Sequence, residues 1–196
     1  SEHPVEEAAG PVIVVKDTRM AFLHLAAFYR SQFDIPVIGL TGSVGKTTTK
    51  EMVAAVLEQK YRTLKTEGNL NNQIGLPRMI FQLDRQIQAA VLEMGMDHAG
   101  QISSLSQTAQ PSIGIITNIG VSHIENFGSQ EGILKAKLEI LDGMSKQAPL
   151  LLNGDDPLLL DAHGKIKNPV LLYGIRNSAC GLRAEQVEEE SDGTRF

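Results

Sequence analysis

Short runs of aliphatic residues without polar alternation constrain the fold of this chain more than any other sequence feature. A strand with one face in water alternates apolar and polar side chains, whereas a strand buried on both faces is apolar throughout. Strands of the second kind are typical of parallel sheets that helices cover on both faces. The sequence predicts six of them, at Val12–Val15, Val37–Thr41, Ala89–Met94, Ser112–Asn118, Leu150–Asn153 and Val170–Tyr173.

Helical patterns fill most of the stretches between these runs. In the first helical pattern Phe22, Leu25, Ala26, Tyr29 and Phe33 share one face, which predicts an amphipathic helix. Strands that alternate with helices indicate an α/β fold, with a mostly parallel sheet and helices on both faces. The predicted helices are Thr18–Phe33, Lys46–Gln59, Gly75–Leu83, Ala99–Thr108 and Ser129–Ser145.

The two ends of the chain differ from this pattern. Residues 1–11 show no periodicity and are interpreted as a tail or the remnant of an earlier domain. Near the other end, Leu182–Val187 predicts a strand and Ser191-Asp192-Gly193 a hairpin turn. Only Thr194–Phe196 remain for the returning strand, so we expect the domain to be incomplete at its C-terminus. A naturally frayed end is the alternative.

Composition narrows the range of partners and compartments. The net charge of −5 argues against nucleic acid as the main partner, because phosphate neutralisation needs clustered Lys and Arg. The longest apolar runs are far shorter than the ~20 residues of a membrane span, and residues 1–10 lack the pattern of a signal peptide. The single cysteine, Cys180, excludes an internal disulfide. We expect a cytoplasmic protein without membrane insertion.

A glycine-rich loop follows the predicted strand Val37–Thr41 and leads directly into a predicted helix. In such a loop the backbone N–H groups and the helix N-terminus can hold phosphate oxygens. Lys46 would neutralise the β- and γ-phosphates of a nucleotide, and the Thr47 hydroxyl would bind Mg²⁺. Only the short G-x-x-G-K-T pattern is present, because Leu40 occupies the place of an earlier glycine. A tight turn with an exposed lysine is therefore the alternative to a nucleotide site formed by Gly42, Ser43, Val44, Gly45, Lys46, Thr47 and Thr48.

Three further side chains are candidates for the same site. Glu93 follows the aliphatic run Ala89–Leu92, at the sheet edge where α/β proteins bind ligands, so it could share Mg²⁺ with Thr47. A helix-capping or solvated glutamate is the alternative. His123 lies in a polar loop after the strand ending at Asn118, where an ordinary surface histidine is the alternative. Lys137 falls on the apolar stripe of its predicted helix. Such a lysine usually extends its charge to solvent, but burial would instead lower the pKa of its amine.

Several segments in order resemble the Mur ligase family. The phosphate loop alone resembles folylpolyglutamate synthase and cyanophycin synthetase equally well. The asparagine-rich segment Gly68–Pro77 separates these families and is most similar to the Mur ligases that add D-alanyl-D-alanine. The segments that carry the resemblance are Thr41–Thr48, Gly68–Pro77, Glu93–Gly95, Asn118–Ser129 and Lys135–Ile140.

The resemblance implies a three-domain enzyme with a UDP-binding domain, a central ATPase of the P-loop type and a closing third domain. Residues 12–35 would be the end of the first domain and a connecting helix. Residues 36–196 would be the central ATP-binding domain, incomplete at its C-terminus. The implied reaction uses ATP to join D-alanyl-D-alanine to a UDP-N-acetylmuramoyl peptide through an acyl phosphate. We expect that this chain alone does not complete that reaction.

The resemblance also implies roles for individual residues. Lys46, Glu93, His123 and Lys137 would be catalytic. Thr47 and Glu93 would hold one Mg²⁺, and His123 would hold a second together with a carbamate formed on Lys137. Asn69, Asn71 and Asn72 could bind the muramoyl peptide through their amides, although turn formation explains asparagines there equally well. A P-loop kinase or a non-catalytic nucleotide-sensing module are the competing hypotheses.

Overall fold

The computed structural model describes residues 1–5, 8–122, 124–190 and 193–195, and its centre is a seven-stranded parallel sheet. The strand order is β2-β3-β1-β4-β5-β6-β7, and every neighbouring pair is parallel. A separate antiparallel pair, β8 and β9, lies near the C-terminus. The strands are β1 (Val37–Thr41), β2 (Thr63–Lys65), β3 (Ala89–Glu93), β4 (Ile113–Ile116), β5 (Leu150–Asn153), β6 (Val170–Gly174), β7 (Leu182–Arg183), β8 (Glu188–Glu190) and β9 (Gly193–Arg195).

Helices cover the sheet on both faces, as the sequence predicts. No helix among the described residues combines the length and apolar character needed to cross a membrane. The helices are α1 (Thr18–Arg30), α2 (Lys46–Glu58), α3 (Gly75–Ile80), α4 (Gln101–Ala109), α5 (Ile124–Phe127), α6 (Gln130–Leu138) and α7 (Pro157–His163), with a 3₁₀ helix at Glu139–Gly143.

The central strand β1 determines where the site lies. All five of its residues are buried, and it pairs with β3 on one side and with β4 on the other. Later strands of the chain are therefore added to the sheet on both sides of β1. In open α/β sheets such a reversal of strand order leaves a crevice at the carboxyl ends of the strands, where ligands bind.

Five of the six predicted strands are confirmed, but Val12–Val15 is not a strand. Ile13 is 78% exposed, and the bonds of this segment to other described residues run to the chain terminus, from Val15 N–H to the Ser1 carbonyl and from the Ser1 ammonium to the Ile13 carbonyl. An aliphatic run forms a stable strand only beside a neighbouring strand, and no strand of the sheet lies beside this one.

The amphipathic face predicted for α1 is confirmed except at Leu25, since Ala26 is buried and Phe22, Tyr29 and Phe33 are partly buried. Leu23, Ala26 and Arg30 are buried, whereas Leu25 is 56% exposed. Arg30 accounts for part of this orientation, because its guanidinium donates to the carbonyls of Ala109, Phe33 and Ile35 at 3.0, 2.6 and 3.2 Å. These three bonds attach the end of α1 to the domain.

Two predictions near the C-terminal half require correction. The helix predicted at Ser129–Ser145 becomes the 3₁₀ helix after Leu138. The strand predicted at Leu182–Val187 is only Leu182–Arg183, and it pairs with β6 as the last strand of the sheet. The hairpin is formed instead by β8 and β9, and residues 191, 192 and 196 of the predicted turn and returning strand lie outside the described residues. Asp156 caps the start of α7 before Pro157, since its carboxylate accepts from the N–H groups of Leu158 and Leu159.

Candidate functional site

A polar cavity of about 370 Å³ opens at the carboxyl ends of β1, β3 and β4. The phosphate loop forms one wall, the asparagine-rich segment before α3 a second, and the segments around Met96 and Lys137 complete it. Its lining residues are Gly42, Ser43, Lys46, Asn71, Asn72, Gly95, Met96, Asp97, Gln101, Ser122 and Lys137.

The phosphate loop ends at a left-handed glycine that begins helix α2. Gly45 has φ 78°, a conformation that favours glycine, and no described side chain caps the helix there. The first N–H groups of a helix lack intrahelical partners and carry partial positive charge. This helix start can therefore receive an anion. The Lys46 ammonium donates to the loop carbonyls of Gly42 at 2.9 Å and Ser43 at 3.4 Å.

The loop after β4 clamps the phosphate loop through hydrogen bonds that sequence reasoning missed. The Asn118 side chain accepts from Val44 N–H and donates to the Val44 carbonyl, both at 3.0 Å. Thr117 Oγ1 donates to the same carbonyl at 2.7 Å, and Gly120 N–H donates to Ser43 Oγ at 2.8 Å. The loop after β4 is thus attached to the phosphate loop. The one signal in the sequence for these contacts was the place of Asn118 at the end of a predicted strand.

Glu93 is 2% exposed and lies opposite Thr47, as the sequence predicts. Its Oε2 accepts from the Thr47 hydroxyl at 3.1 Å, and its Oε1 accepts from the Asn71 amide at 2.8 Å. Among the described residues no Lys, Arg or His forms an ion pair with it. A buried carboxylate with only neutral donors is costly, and a bound cation would offset that cost.

The donor set around Glu93 fits Mg²⁺ better than a transition metal. Carboxylate and hydroxyl oxygens are the ligands that Mg²⁺ prefers. The described residues contain no group of three His, Cys, Asp or Glu side chains that could hold a metal by themselves. Mg²⁺ commonly binds through one or two carboxylates, with nucleotide phosphates and water completing its coordination. The arrangement beside a phosphate loop meets that description.

The three asparagines of the predicted substrate segment have different surroundings. Asn71 holds Glu93 and also accepts from Gly95 N–H through its carbonyl at 2.8 Å. Asn72 lines the cavity while its Oδ1 accepts from the N–H groups of Ile74 and Gly75, at the start of α3. Asn69 is exposed and is not among the lining residues. Turn formation therefore accounts for much of this segment.

Lys137 is only 4% exposed and lines the cavity, so its side chain does not extend into bulk solvent. Burial lowers the pKa of its amine to about 7, and the positive charge of Lys46 contributes in the same direction. A substantial fraction of this amine is neutral near pH 7, which makes it nucleophilic. His123, the other predicted residue of this group, lies outside the described residues.

The low pKa of Lys137 predicts a pH-dependent stability. Between pH 7 and about 10 the unfolded chain holds a proton that the folded chain has lost, so stability rises with pH in this window. Relative to a Lys137→Met variant, wild type should gain about 2 kcal/mol between pH 7.5 and 9. Denaturant unfolding in CO₂-free buffer measures this, and Lys135→Met, an exposed lysine of the same helix, is the control. A pH-independent difference for Lys137→Met would contradict the low pKa.

Comparison with known proteins agrees with the geometry. Residues 40–196 match the Mur ligase middle domain. The UDP-N-acetylmuramoyl-tripeptide–D-alanyl-D-alanine ligase of Bacillus subtilis is 44% identical over 94% of this chain and 40% of the relative. Its Escherichia coli counterpart is 43% identical over 95% of this chain and 41% of the relative. The chain therefore spans about 40% of the length of the curated relatives it matches.

Solved structures give the same result. MurF from Acinetobacter baumannii has a TM-score of 0.89 and 34% identity, over 100% of this chain and 45% of that one. MurF ligase from Thermotoga maritima in complex with ADP has a TM-score of 0.88 and 29% identity, over 98% of this chain and 44% of that one. Because the family match includes the phosphate loop, Glu93 and Lys137, the chain belongs to the Mur ligase family.

Proposed function

We propose that this chain is the ATP-binding part of a ligase that joins D-alanyl-D-alanine to the peptide carboxylate of a UDP-N-acetylmuramoyl peptide. The reaction would pass through an acyl phosphate and would serve peptidoglycan precursor synthesis. The observation that carries the proposal is the buried Glu93 carboxylate, 3.1 Å from the Thr47 hydroxyl at the end of the phosphate loop. The activity named for the Bacillus subtilis and Escherichia coli relatives supports the choice of substrates.

The phosphate loop would hold the nucleotide. Backbone N–H groups between Gly42 and Thr48 would donate to the phosphate oxygens, and Lys46 would exchange its loop carbonyls for the β- and γ-phosphates. Because Ser43 and Val44 are held by the loop after β4, the cradle needs little rearrangement to receive a nucleotide. The ADP complex of the Thermotoga maritima relative supports a nucleotide here.

Thr47 and Glu93 would hold Mg²⁺ through oxygen atoms that already face each other. When bound, Mg²⁺ would neutralise part of the charge that builds up between the γ-phosphate and the attacking carboxylate. Asn71 keeps one Glu93 oxygen engaged and leaves the other directed to Thr47. The carboxylate is therefore oriented before any cation arrives.

Lys137 would act in one of two forms near the γ-phosphate. With a pKa of about 7 its amine is neutral often enough to add CO₂ with release of one proton to solvent, and the resulting carbamate would supply an anionic oxygen for a second Mg²⁺, with His123 as its other ligand. As an ammonium it would instead bind the phosphate or acyl phosphate directly. Its burial and its place in the cavity wall support a role at the reacting groups.

The acyl substrate would enter beside the asparagine-rich segment. Asn72 lines the cavity and would face the muramoyl peptide, with Asn71 behind it and Asn69 further out. Since Asn71 is engaged with Glu93, its contribution would be to the metal site more than to the peptide. We assign the reaction to the cytoplasm, because it consumes ATP and the single cysteine requires no oxidising compartment.

Calorimetric titration with ADP, in Mg²⁺ and in EDTA, tests the nucleotide and metal assignments together. Wild type should bind more tightly with Mg²⁺, and Glu93→Gln should lose most of that difference, because an amide is a poor ligand for Mg²⁺. Glu58→Gln, an exposed glutamate at the end of α2, should keep it. A chain that binds no adenine nucleotide would contradict the proposal.

A second binding experiment tests the assignment of the acyl substrate. A Mg²⁺–ATP analogue that cannot be cleaved should tighten binding of UDP-N-acetylmuramoyl tripeptide, because the two ligands meet at the γ-phosphate. Nucleotide binding without such coupling would favour a non-catalytic nucleotide-binding module. Coupling to a different peptide would favour another amide ligase of the family.

A further inference from the structure

Lys50 is a buried lysine on α2 to which the proposed function assigns no role. Its side chain is 2% exposed, although lysines on amphipathic helices usually extend their charge to solvent. The ammonium donates to the Thr66 carbonyl at 2.7 Å and pairs with Glu51 at 3.0 Å, whose own side chain is 50% exposed. Burying an ammonium is costly unless it is paired and hydrogen-bonded, so this placement calls for an explanation.

Thr66, the residue that Lys50 holds, is bonded to β3 at two points. It follows β2 directly and is 1% exposed. Its N–H donates to the Val91 carbonyl at 3.0 Å, and its Oγ1 accepts from Glu93 N–H at 2.9 Å. The side chain of Thr66 therefore continues the strand pairing by one bond, to the residue that carries the proposed metal ligand.

The carboxylate of Glu93 is fixed independently of its backbone. Thr47 and Asn71 each donate to one of its oxygens. Thr47 and Lys50 are three residues apart on α2, and residues at that spacing lie on the same face of a helix. One face of α2 thus holds Glu93 twice, through the carboxylate by Thr47 and through the backbone by Lys50 and Thr66.

We propose that Lys50 is a positioning residue that acts through Thr66 to hold Glu93 where it can share a divalent cation with Thr47. The inference rests on the proposed function for the identity of that cation as the Mg²⁺ of bound nucleotide. Residues behind a metal ligand commonly change metal affinity by about 10- to 100-fold when they are lost. The competing explanation is that Lys50 only attaches β2 to α2.

The test compares Lys50→Met and Thr66→Val with two controls. Lys50→Met keeps most of the volume and removes the ammonium, and Thr66→Val removes only the hydroxyl that accepts from Glu93. Thr66→Ser keeps that hydroxyl and should restore what Thr66→Val loses. Lys65→Met removes a surface lysine that pairs with the same Glu51 and should behave like wild type.

The first readout is the ratio of ADP affinities with Mg²⁺ and in EDTA. Lys50→Met and Thr66→Val should each lower this ratio about tenfold, with affinity in EDTA unchanged because the phosphate loop is intact. Since Lys50 acts through Thr66, the double variant should lose no more than the more affected single variant. Independent, multiplying losses would overturn the proposed order of action.

The second readout is amide hydrogen exchange in the ligand-free chain. Exchange at Glu93 N–H, bonded to Thr66, should accelerate at least about tenfold more in Lys50→Met than exchange at Met94 N–H, bonded to Leu40. General destabilisation would accelerate both amides alike and overturn the proposal. If Lys50→Met does not fold, comparison of Thr66→Val with Thr66→Ser in both readouts decides whether Thr66 positions Glu93.

The two readouts separate this inference from the proposed function. A wild-type chain without Mg²⁺-dependent ADP binding would defeat the proposed function, and with it the metal role of Lys50. Mg²⁺-dependent binding that survives unchanged in Lys50→Met would overturn only the positioning role. Loss of that binding together with selective exchange at Glu93 supports both.

Discussion

Replacement of Lys46 by methionine is expected to lower the affinity of this chain for Mg²⁺–ADP roughly a hundredfold, or about 2.7 kcal/mol. In the structure its ammonium is held by the Gly42 and Ser43 carbonyls, at the edge of the cavity where a phosphate would lie. A charge-assisted hydrogen bond to phosphate would replace those neutral contacts when nucleotide binds. Methionine fills similar space without supplying charge or donors.

Calorimetry of Lys46→Met beside wild type measures the effect, with Lys60→Met as the control. Lys60 is an exposed lysine just beyond the end of the same helix, over the Tyr61 ring. Its removal changes net charge equally, so the difference between the variants isolates the contact at the loop. A loss of less than about tenfold for Lys46→Met would contradict its assignment to the phosphates.

Gly42→Ala is expected to lower the free energy of unfolding by about 3 kcal/mol and to disrupt nucleotide binding. A Cβ at this position would lie 1.8 Å from Thr117 Oγ1 and 3.2 Å from the Thr117 nitrogen. The hydroxyl cannot move away without losing its bond to the Val44 carbonyl, which helps to shape the loop. Either the phosphate loop or the end of β4 must shift.

Thermal and denaturant unfolding of wild type, the two single variants and the double variant resolve the cause. For a domain of this size the loss corresponds to a drop of roughly 10 °C in Tm. Thr117→Ala removes the clashing oxygen, so Gly42→Ala together with Thr117→Ala should lose less than the sum of the two single variants. Additive losses would show that the contact with Thr117 is not the source of the effect. Gly10→Ala, with no atom within 4 Å of the added carbon, is the neutral control.

The sheet could be predicted because its central strands β1 and β3 are buried on both faces. Runs such as Val37–Thr41 and Leu150–Asn153 have no polar alternation, and five of the six runs are strands within about two residues of the predicted bounds. Strand β2 was missed because it has only three residues, two of them partly exposed. Val12–Val15 was wrong because composition does not reveal whether a neighbouring strand exists.

The proximity of Thr47 and Glu93 was predictable for a topological reason. Thr47 follows the end of β1 and Glu93 ends β3, and parallel neighbours bring their carboxyl ends to one edge. The other contacts around this pair were not predictable, because they depend on which side chains meet between elements distant in sequence. Nothing local to Lys50 distinguishes it from a solvated lysine, and the packing of α2 against β2 and β3 brings its ammonium to the Thr66 carbonyl.

The order of strands has a consequence for how this chain folds. Val37 pairs with Ala90 and Ile38 with Ile113, so the fully buried central strand acquires its partners only after long stretches of chain have been synthesised. Closing such loops costs entropy before the contacts reward it, which makes parallel sheets slow to form. During synthesis β1 leaves the ribosome well before β3 and β4, and its exposed backbone and aliphatic side chains are a site for chaperones or for aggregation. Soluble yield should therefore depend more on the time before β4 emerges than on the stability of the finished domain.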